Sequence, residues 1–244
     1  MFNNYLQKHF FIRYSDEGSH LRIRFCFENE SSAINRMKKI NAWICDLRQK
    51  GMINRVVFDT YKRETNRYGG IQLIEFAENY FYKDSVFVIK SLQLFDLDND
   101  KDVGITYFIG IFSVFYSLES NLGDLFDILD SDNNRNDFRE EFHANKTAFL
   151  QMLESVLTNH IEKIDLRFEQ IREIYNQREN SLLKFSKCMN SIPLAQLTNT
   201  KKNIILSLSH MYCNRLTGDM TLEHKYCALI HHSLSAYIKR LKNL

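Results

Sequence analysis

Proline is almost absent: Pro193 is the single one among 244 residues, and there are only eight glycines. The usual helix breakers are therefore scarce, which predicts long helices. Cysteine is sparse and badly spaced for a framework. The five cysteines, at positions 26, 45, 188, 213 and 227, form no C-x-x-C pair. This predicts reduced, buried thiols rather than a disulfide or zinc scaffold, and with them a cytoplasmic protein. Long apolar runs are missing too. The longest uncharged stretch, 103–118, contains Gly, Ser and Tyr and falls short of the roughly 20 apolar residues a membrane span requires; it reads as a buried helix, and the chain as no integral membrane protein. The start, MFNNYLQKHFF, has no basic region followed by a sustained apolar one, so no secretory signal is expected. Charge of one sign is not in excess either. With 32 Lys and Arg against 30 Asp and Glu, the formal charge is +2, so no overall field points to nucleic acid or an anionic membrane, and any anion site must be local.

What is present suits a folded globular chain: 44% apolar and 25% charged residues exclude a disordered or collagen-like composition. The length predicts a single domain, residues 1–244, with a β-rich part over 1–70 and a mostly helical part over 71–244. HFFIRY (9–14) and HLRIRFCFE (20–28) are two strand-like runs around the turn residues Ser15 to Ser19, which predicts a hairpin. In the second run Leu21, Ile23 and Phe25 share one face, Arg22 and Arg24 the other. Ser31 and Ser32 stand where they can cap a helix to Lys50 with the stripe Ala33, Met37, Ile40, Trp43, Ile44 and Leu47, ended by Gly51. A third strand is predicted at 53–61, its helix lying across one face of a mixed or antiparallel sheet. The fold class is α+β.

Helical periods fill the rest, over 71–95, 103–118, 122–129, 142–190, about 196–216 and 222–244, with polar joints at 96–102 and 130–136. The 142–190 stretch is one long helix or two with a break near Thr158 and Asn159, where its apolar phase drifts.

Three groups carry possible chemistry. Arg22 and Arg24 sit about 7 Å apart by strand geometry and repel unless an anion or carboxylates compensate; the functional reading is an anion clamp, the plain one a solvated face of an edge strand. The segment YKRETNRYGG (61–70) presses charged and aromatic residues against a glycine pair that lets backbone turn tightly near a ligand; in the plain reading Glu64 and Arg67 simply pair at the surface. On the helix containing LSHMYCNRL (208–216), His210 and Asn214 are four apart, so the amide is placed to orient the imidazole, although a lone helical histidine is commonly structural. Other candidates lack an anchor. His231 and His232 face different directions and neither has a histidine at i+4, so no metal is expected. Asp96, Asp98, Asp100 and Asp102 lack the central glycine of a calcium loop, and Tyr107 stands where its bidentate Glu belongs, which leaves a solvated turn. No G-x-G-x-x-G, P-loop or G-x-S-x-G motif occurs.

Taken together, HFFIRYSDEGSHLRIRF (9–25), TYKRETNRYGG (60–70) with YFYKDS (80–85), and SLSHMYCNRL (207–216) resemble the C-terminal glutamate-elimination domain of the lantibiotic dehydratases, the nisin dehydratase type, and its stand-alone relatives in thiopeptide-type bacteriocin biosynthesis. The resemblance spans most of the chain in the family's order. It implies removal of glutamate by β-elimination from glutamylated Ser and Thr of a precursor peptide, giving dehydroalanine and dehydrobutyrine. Carried over, the paired arginines fall on Arg22 and Arg24, the Glu and Arg on Glu64 and Arg67, and the catalytic histidine on His210. Glu17 replaces the usual proline after Asp16.

The resemblance further implies no cofactor on this chain, glutamyl-tRNA being used by a separate glutamylating dehydratase subunit. Implied partners are that subunit, the glutamylated precursor peptide and a cyclase, with no direct nucleic acid binding, in a cytoplasmic or membrane-associated biosynthetic complex. Two rival expectations remain: a pyridine synthase performing a formal [4+2] cycloaddition on a dehydrated peptide, whose resemblance does not extend to the full elimination set, and a non-catalytic peptide-binding or scaffold subunit.

Overall fold

The computed structural model describes residues 8–16, 18–27 and 29–243, and only the backbone of Glu30, Ser32 and Asp132. Glu17 and the Ser32 cap therefore lie outside the described groups. The fold is α+β: strands β1 (Lys8–Tyr14) and β2 (His20–Cys26), then helices α1 (Glu30–Gln49), α2 (Ile74–Leu94), α3 (Asp100–Leu118), α4 (Leu122–Leu129), α5 (Asp132–Asn136), α6 (Arg139–Ala144), α7 (Lys146–Leu157), α8 (Arg172–Ser191), α9 (Lys201–Leu216) and α10 (Met220–Lys242).

The hairpin pairs Phe10 with Arg24, Ile12 with Arg22 and Tyr14 with His20. Directly opposed residues share a face, so the arginines lie on the face of Phe10 and Ile12, which are buried, while Leu21 and Ile23 point to solvent. The hydrophobic alternation of β2 is thus inverted relative to the core. On that face Arg22 stays exposed and Arg24 is half-buried, while α2 and α9 pack on β1. The predicted third strand is not one: 53–61 is extended but joins no ladder among the described residues, and Val57 and Phe58 are exposed. The sheet is two-stranded, and the helix across it is α2 rather than α1. α1 begins at Glu30, putting Ser31 inside its first turn, and it buries Ile40 but leaves Met37 exposed and Ala33, Trp43, Ile44 and Leu47 half-buried. Gly51 closes it with φ 67°, the left-handed conformation glycine favours.

α3 is the central helix, with Ile105 to Phe115 continuously buried. It packs against α7, α8, α9 and α10, while α2 packs against α8, α9 and β1. Fully burying each of its Phe and Ile side chains contributes roughly 1.5–3 kcal/mol. Gly110 lets α9 approach: a Cβ there would lie 2.1 Å from the Tyr212 ring, whose hydroxyl donates to the Thr106 carbonyl at 2.8 Å. Among the described residues no single helix is long and apolar enough to cross a membrane; α3 and α4 reach that composition only together, across a 120° bend.

The 142–190 stretch resolves into α6, α7 and α8. α7 stops at Leu157, Asn159 takes φ 54°, and two short 3-10 turns at 161–163 and 166–171 lead into α8. The aspartate-rich joint is a cap and a clasp. Asn99 accepts from the amides of Lys101 and Asp102 to start α3, and Asp102 accepts from the Asp96 amide at 2.8 Å and from Arg167 at 2.6 and 2.7 Å. The thiols depart from expectation: Cys213 is buried, Cys188 and Cys227 are half-buried, and Cys26 and Cys45 are exposed.

Under this core lies an ionic knot. Asp84 of α2, fully buried, accepts from Arg178 of α8 at 2.8 Å and from Arg215 of α9 at 2.9 Å, and both arginines are fully buried. Arg178 also donates to Ser113 Oγ at 2.8 Å and to the Gly110 carbonyl at 3.0 Å, and Arg215 to the Phe11 carbonyl at 3.0 Å. One carboxylate thereby joins α2, α8, α9, α3 and β1. Removing one partner of a buried pair leaves an uncompensated charge, at a cost of about 3–5 kcal/mol. Asp84→Asn is expected to lose that much stability in a urea titration, and Asp46→Asn, which breaks an exposed pair with Lys50, less than about 1 kcal/mol.

Arg167 holds the Asp102 and Asp165 carboxyls below the usual carboxylate range through its hydrogen bonds. A carboxyl lowered in the folded state adds stability above its unfolded value of about 3.9 and loses it as pH falls through the lowered one. Arg167→Met should therefore reduce stability at neutral pH and flatten its decline below about pH 4, as read by urea titrations at several pH values.

Candidate functional site

The candidate residues gather on three supports. The first is the inner face of β2. The Arg22 guanidinium lies 3.7 Å from the Tyr14 ring centroid and pairs with Asp16 at 3.3 Å. Arg24 lies 5.2 Å from the Tyr61 ring and 5.8 Å from that of Phe10, and bonds the Arg22 carbonyl at 3.2 Å. Its Nε is buried without a hydrogen-bond partner. Aromatic faces attract a cation without neutralising it, so Arg24 keeps its charge for an incoming anion.

The second support is the 64–70 turn. Glu64 and Arg67 pair at 3.3 Å, as the plain reading of the sequence allows, and Arg67 lies 5.6 Å from the Tyr68 ring. Gly69 and Gly70 take φ 92° and 118°, and a Cβ on Gly69 would meet Leu73 and Ile204 at 2.7 and 2.8 Å. Only glycine permits both that backbone and that approach. The residues before α9 staple the turn: Thr198 Oγ1 donates to the Asn66 carbonyl at 3.0 Å and Asn199 Nδ2 to that of Arg67 at 3.1 Å.

Tyr68 joins these two supports. It is buried against Phe81 at 5.0 Å, and Phe81 in turn touches Phe10. Burial raises the Tyr68 hydroxyl to about 12, with Arg67 and Arg215 opposing and Glu64 and Tyr14 adding. Tyr61 is pushed up as well, by burial and then by Glu78, with Arg24 and Tyr68 also in electrostatic reach. Arg22, Arg24 and Arg67 thus stand over the rings of Tyr14, Tyr61 and Tyr68 respectively.

The third support is α9, which carries His210. Its Nδ1 lies 2.9 Å from Glu223 Oε2 of α10. Asn214 does not orient the imidazole as the i, i+4 spacing suggested. Its amide is occupied on β1, accepting from the Arg13 N–H at 2.9 Å and donating to the Arg13 carbonyl at 3.0 Å, as a neighbouring strand would. Among the described residues no hydrogen bond or ion pair links His210 to the three guanidinium groups; what connects them is α9, fastened to the Arg67 turn before its start and to β1 near its end.

Glu223 and the phenols went unnoticed in the sequence. Glu223 had a signal: it and His210 are 13 residues apart on either side of Thr217-Gly218-Asp219, where Gly218 has φ 77° and Asp219 caps α10, so a tight turn places them opposite each other. The phenols had none beyond adjacency, since their meeting depends on long-range packing. Among the described residues no group of three or more His, Cys, Asp or Glu side chains is gathered as a metal site.

Comparison with known proteins gives one family. The model described as "Lantibiotic biosynthesis dehydratase C-term" matches residues 2–237. The subtilin biosynthesis protein SpaB of Bacillus subtilis is 28% identical over 248 residues, covering 96% of this chain and 23% of SpaB. The epidermin biosynthesis protein EpiB of Staphylococcus epidermidis is 25% identical over 241 residues, covering 96% and 23%. The tRNA dependent lantibiotic dehydratase MibB from Microbispora sp. 107891 superposes with a TM-score of 0.83 at 21% identity, covering 97% of this chain and 25% of MibB; at that identity the likeness shows the fold. The chain spans about a quarter of the length of each of these relatives.

Asn214→Leu should leave both Arg13 backbone groups without their partner, costing about 1–3 kcal/mol. Hydrogen exchange is expected to rise in β1 and β2 and to stay unchanged in α10; equal protection of the hairpin in both proteins would show that the amide does not hold it.

Proposed function

The chain belongs to the lantibiotic biosynthesis dehydratase C-terminal family, and from that premise we propose that it eliminates glutamate from glutamylated Ser and Thr side chains of a ribosomally made precursor peptide. A role in lanthipeptide biosynthesis follows from the family; the reaction is inferred from the chemistry of the site. In that reaction a base removes the Cα proton, the Cα–Cβ double bond forms, and the Cβ–O bond breaks to release glutamate as a carboxylate. The products are dehydroalanine from Ser and dehydrobutyrine from Thr.

One observation carries the proposal: the guanidinium groups of Arg22, Arg24 and Arg67 each lie over an aromatic ring, and among the described residues Arg24 has no carboxylate partner. A leaving carboxylate and the enolate-like charge on the neighbouring peptide carbonyl both need preorganised cations. Arg22 and Arg24 hold the departing glutamyl carboxylate, Arg67 stabilises developing charge, and Glu64 orients Arg67. His210, turned by Glu223, moves the proton. The reaction requires no cofactor on this chain. Use of glutamyl-tRNA is assigned to a separate glutamylating subunit, and the precursor peptide and that subunit are the partners.

The test is to present a glutamylated Ser/Thr peptide to the chain, with and without the glutamylating partner, and to follow mass. Loss of glutamic acid leaving a dehydroamino acid is expected, with the rate reduced by about 10²-fold or more in Arg24→Ala and His210→Ala and glutamylated peptide accumulating. Intact dehydration in both variants would reject the proposal in favour of a scaffold, and cyclised product from a dehydrated peptide would favour cycloaddition.

A further inference from the structure

At the far side of the helical half, a pocket of about 560 Å³ opens between α4, α5, α6, α7 and α10. It starts at His231, eight residues past Glu223, roughly 12 Å along α10 from the His210 contact. Four cationic side chains line it, Arg135, Arg139, Lys146 and Lys239, with Asp130 as the single carboxylate among the described residues. Asp130 is already engaged, since Arg135 Nε donates to it at 2.6 Å. Arg139 of α6, Lys146 of α7 and Lys239 of α10 are exposed, and no carboxylate among the described residues pairs with them.

The wall holds a second, independent feature. His231 is 4% exposed and stacks on Phe126 at 4.6 Å, yet neither ring nitrogen has a hydrogen-bond partner. Asp130 Oδ1 stands 3.3 Å from its Nε2, within ion-pair distance but outside hydrogen-bond alignment. His231 and Phe126 thus give the pocket a flat wall. Polar donors, unpaired cations and flat apolar walls together describe a small-molecule pocket.

We propose that this pocket binds the phosphate group of a small ligand. Three donors arriving from three helices suit a tetrahedral dianion, whose oxygens accept from several directions, better than a carboxylate with two coplanar oxygens. Two lysines supply point charges and Arg139 a planar fork, beside the Phe126 and His231 wall. This site is independent of the glutamate-elimination reading, and its occupation needs none of Arg22, Arg24, Arg67 or His210.

Inorganic phosphate titrated into the chain by calorimetry, in phosphate-free buffer at fixed ionic strength, is expected to bind saturably at one site. Lys146→Ala/Lys239→Ala should weaken binding by about tenfold or more, as should Arg139→Ala tested separately. Lys184→Ala/Lys187→Ala, on the exposed face of α8, should bind as the parent does. These positions are all at the surface, and an unchanged thermal melt shows that each variant is folded. A nucleoside monophosphate binding more tightly than phosphate would assign the aromatic walls to a base, and equal binding would assign the site to the phosphate alone; either supports the site. Absence of saturable binding, equal binding by the pocket variants and the parent, or tighter binding of L-glutamate than of phosphate would overturn it.

Discussion

A single buried carboxylate, Asp84, holds two buried guanidinium groups, and most of the tertiary arrangement follows from satisfying them. Arg178 and Arg215 cannot be deprotonated in a protein, so the fold must bring acceptors to them. It brings the Gly110 carbonyl and Ser113 from α3, the Phe11 carbonyl from β1, and Met211 from within α9. The faces of Phe87 and Tyr212 lie 4.8 Å from Arg178, and that of Phe81 4.8 Å from Arg215. The second acid near the knot behaves differently: Glu179 accepts from Arg178 and Ser117, yet burial raises its carboxyl. A knot of this kind is weak evidence for stability but strong evidence for one arrangement, because any rearrangement strands a charge.

That constraint reaches the candidate site through two adjacent residues of α9. Arg215 points into the knot while taking the Phe11 carbonyl, and Asn214 takes both backbone groups of Arg13. Phe11 and Arg13 are the β1 residues whose backbone faces away from β2, so α9 seals an edge that would otherwise be left to water. With that edge held, the opposite residues Phe10, Ile12 and Tyr14 turn inward, and the register carries Arg24, Arg22 and His20 with them. The arginines are directed at the aromatic cluster because of how β1 is gripped, not because of any preference of β2 itself.

The helices and the hairpin were readable from periodicity, since 3.6-residue and two-residue patterns are local, and 122–129 matched α4 in full. What failed was whatever depended on a partner. The run at 53–61 has strand-like residues, but a strand exists only where a neighbour completes its ladder, and none does among the described residues. The β2 alternation placed Leu21 and Ile23 opposite Arg22 and Arg24, as the hairpin has them, but which face meets Phe10 and Ile12 is set by the register with β1. His210 was found through its block, whereas its partner was mistaken, because Asn214 at i+4 is nearer in sequence than Glu223 across the turn. Asp84 fell within the quoted YFYKDS block without its role being visible, because a buried acid at a helix position looks the same as an exposed one until Arg178 and Arg215 arrive from 94 and 131 residues away.

The arginines of the domain fall into two sets by their compensation. Arg178 and Arg215 are fully buried and tied to Asp84, whereas Arg22 and Arg67 are partly solvated and each has one carboxylate within reach at 3.3 Å. An exposed pair of that kind contributes roughly 0–1 kcal/mol and opens readily, so its guanidinium is available to a competing anion at little cost. A buried pair is not. The same side chain therefore stands in two settings in one domain: where Asp84 neutralises it the arginine fixes the fold, and where aromatic faces support it without neutralising it the guanidinium keeps its charge. Charge compensation, rather than residue type, separates the two sets.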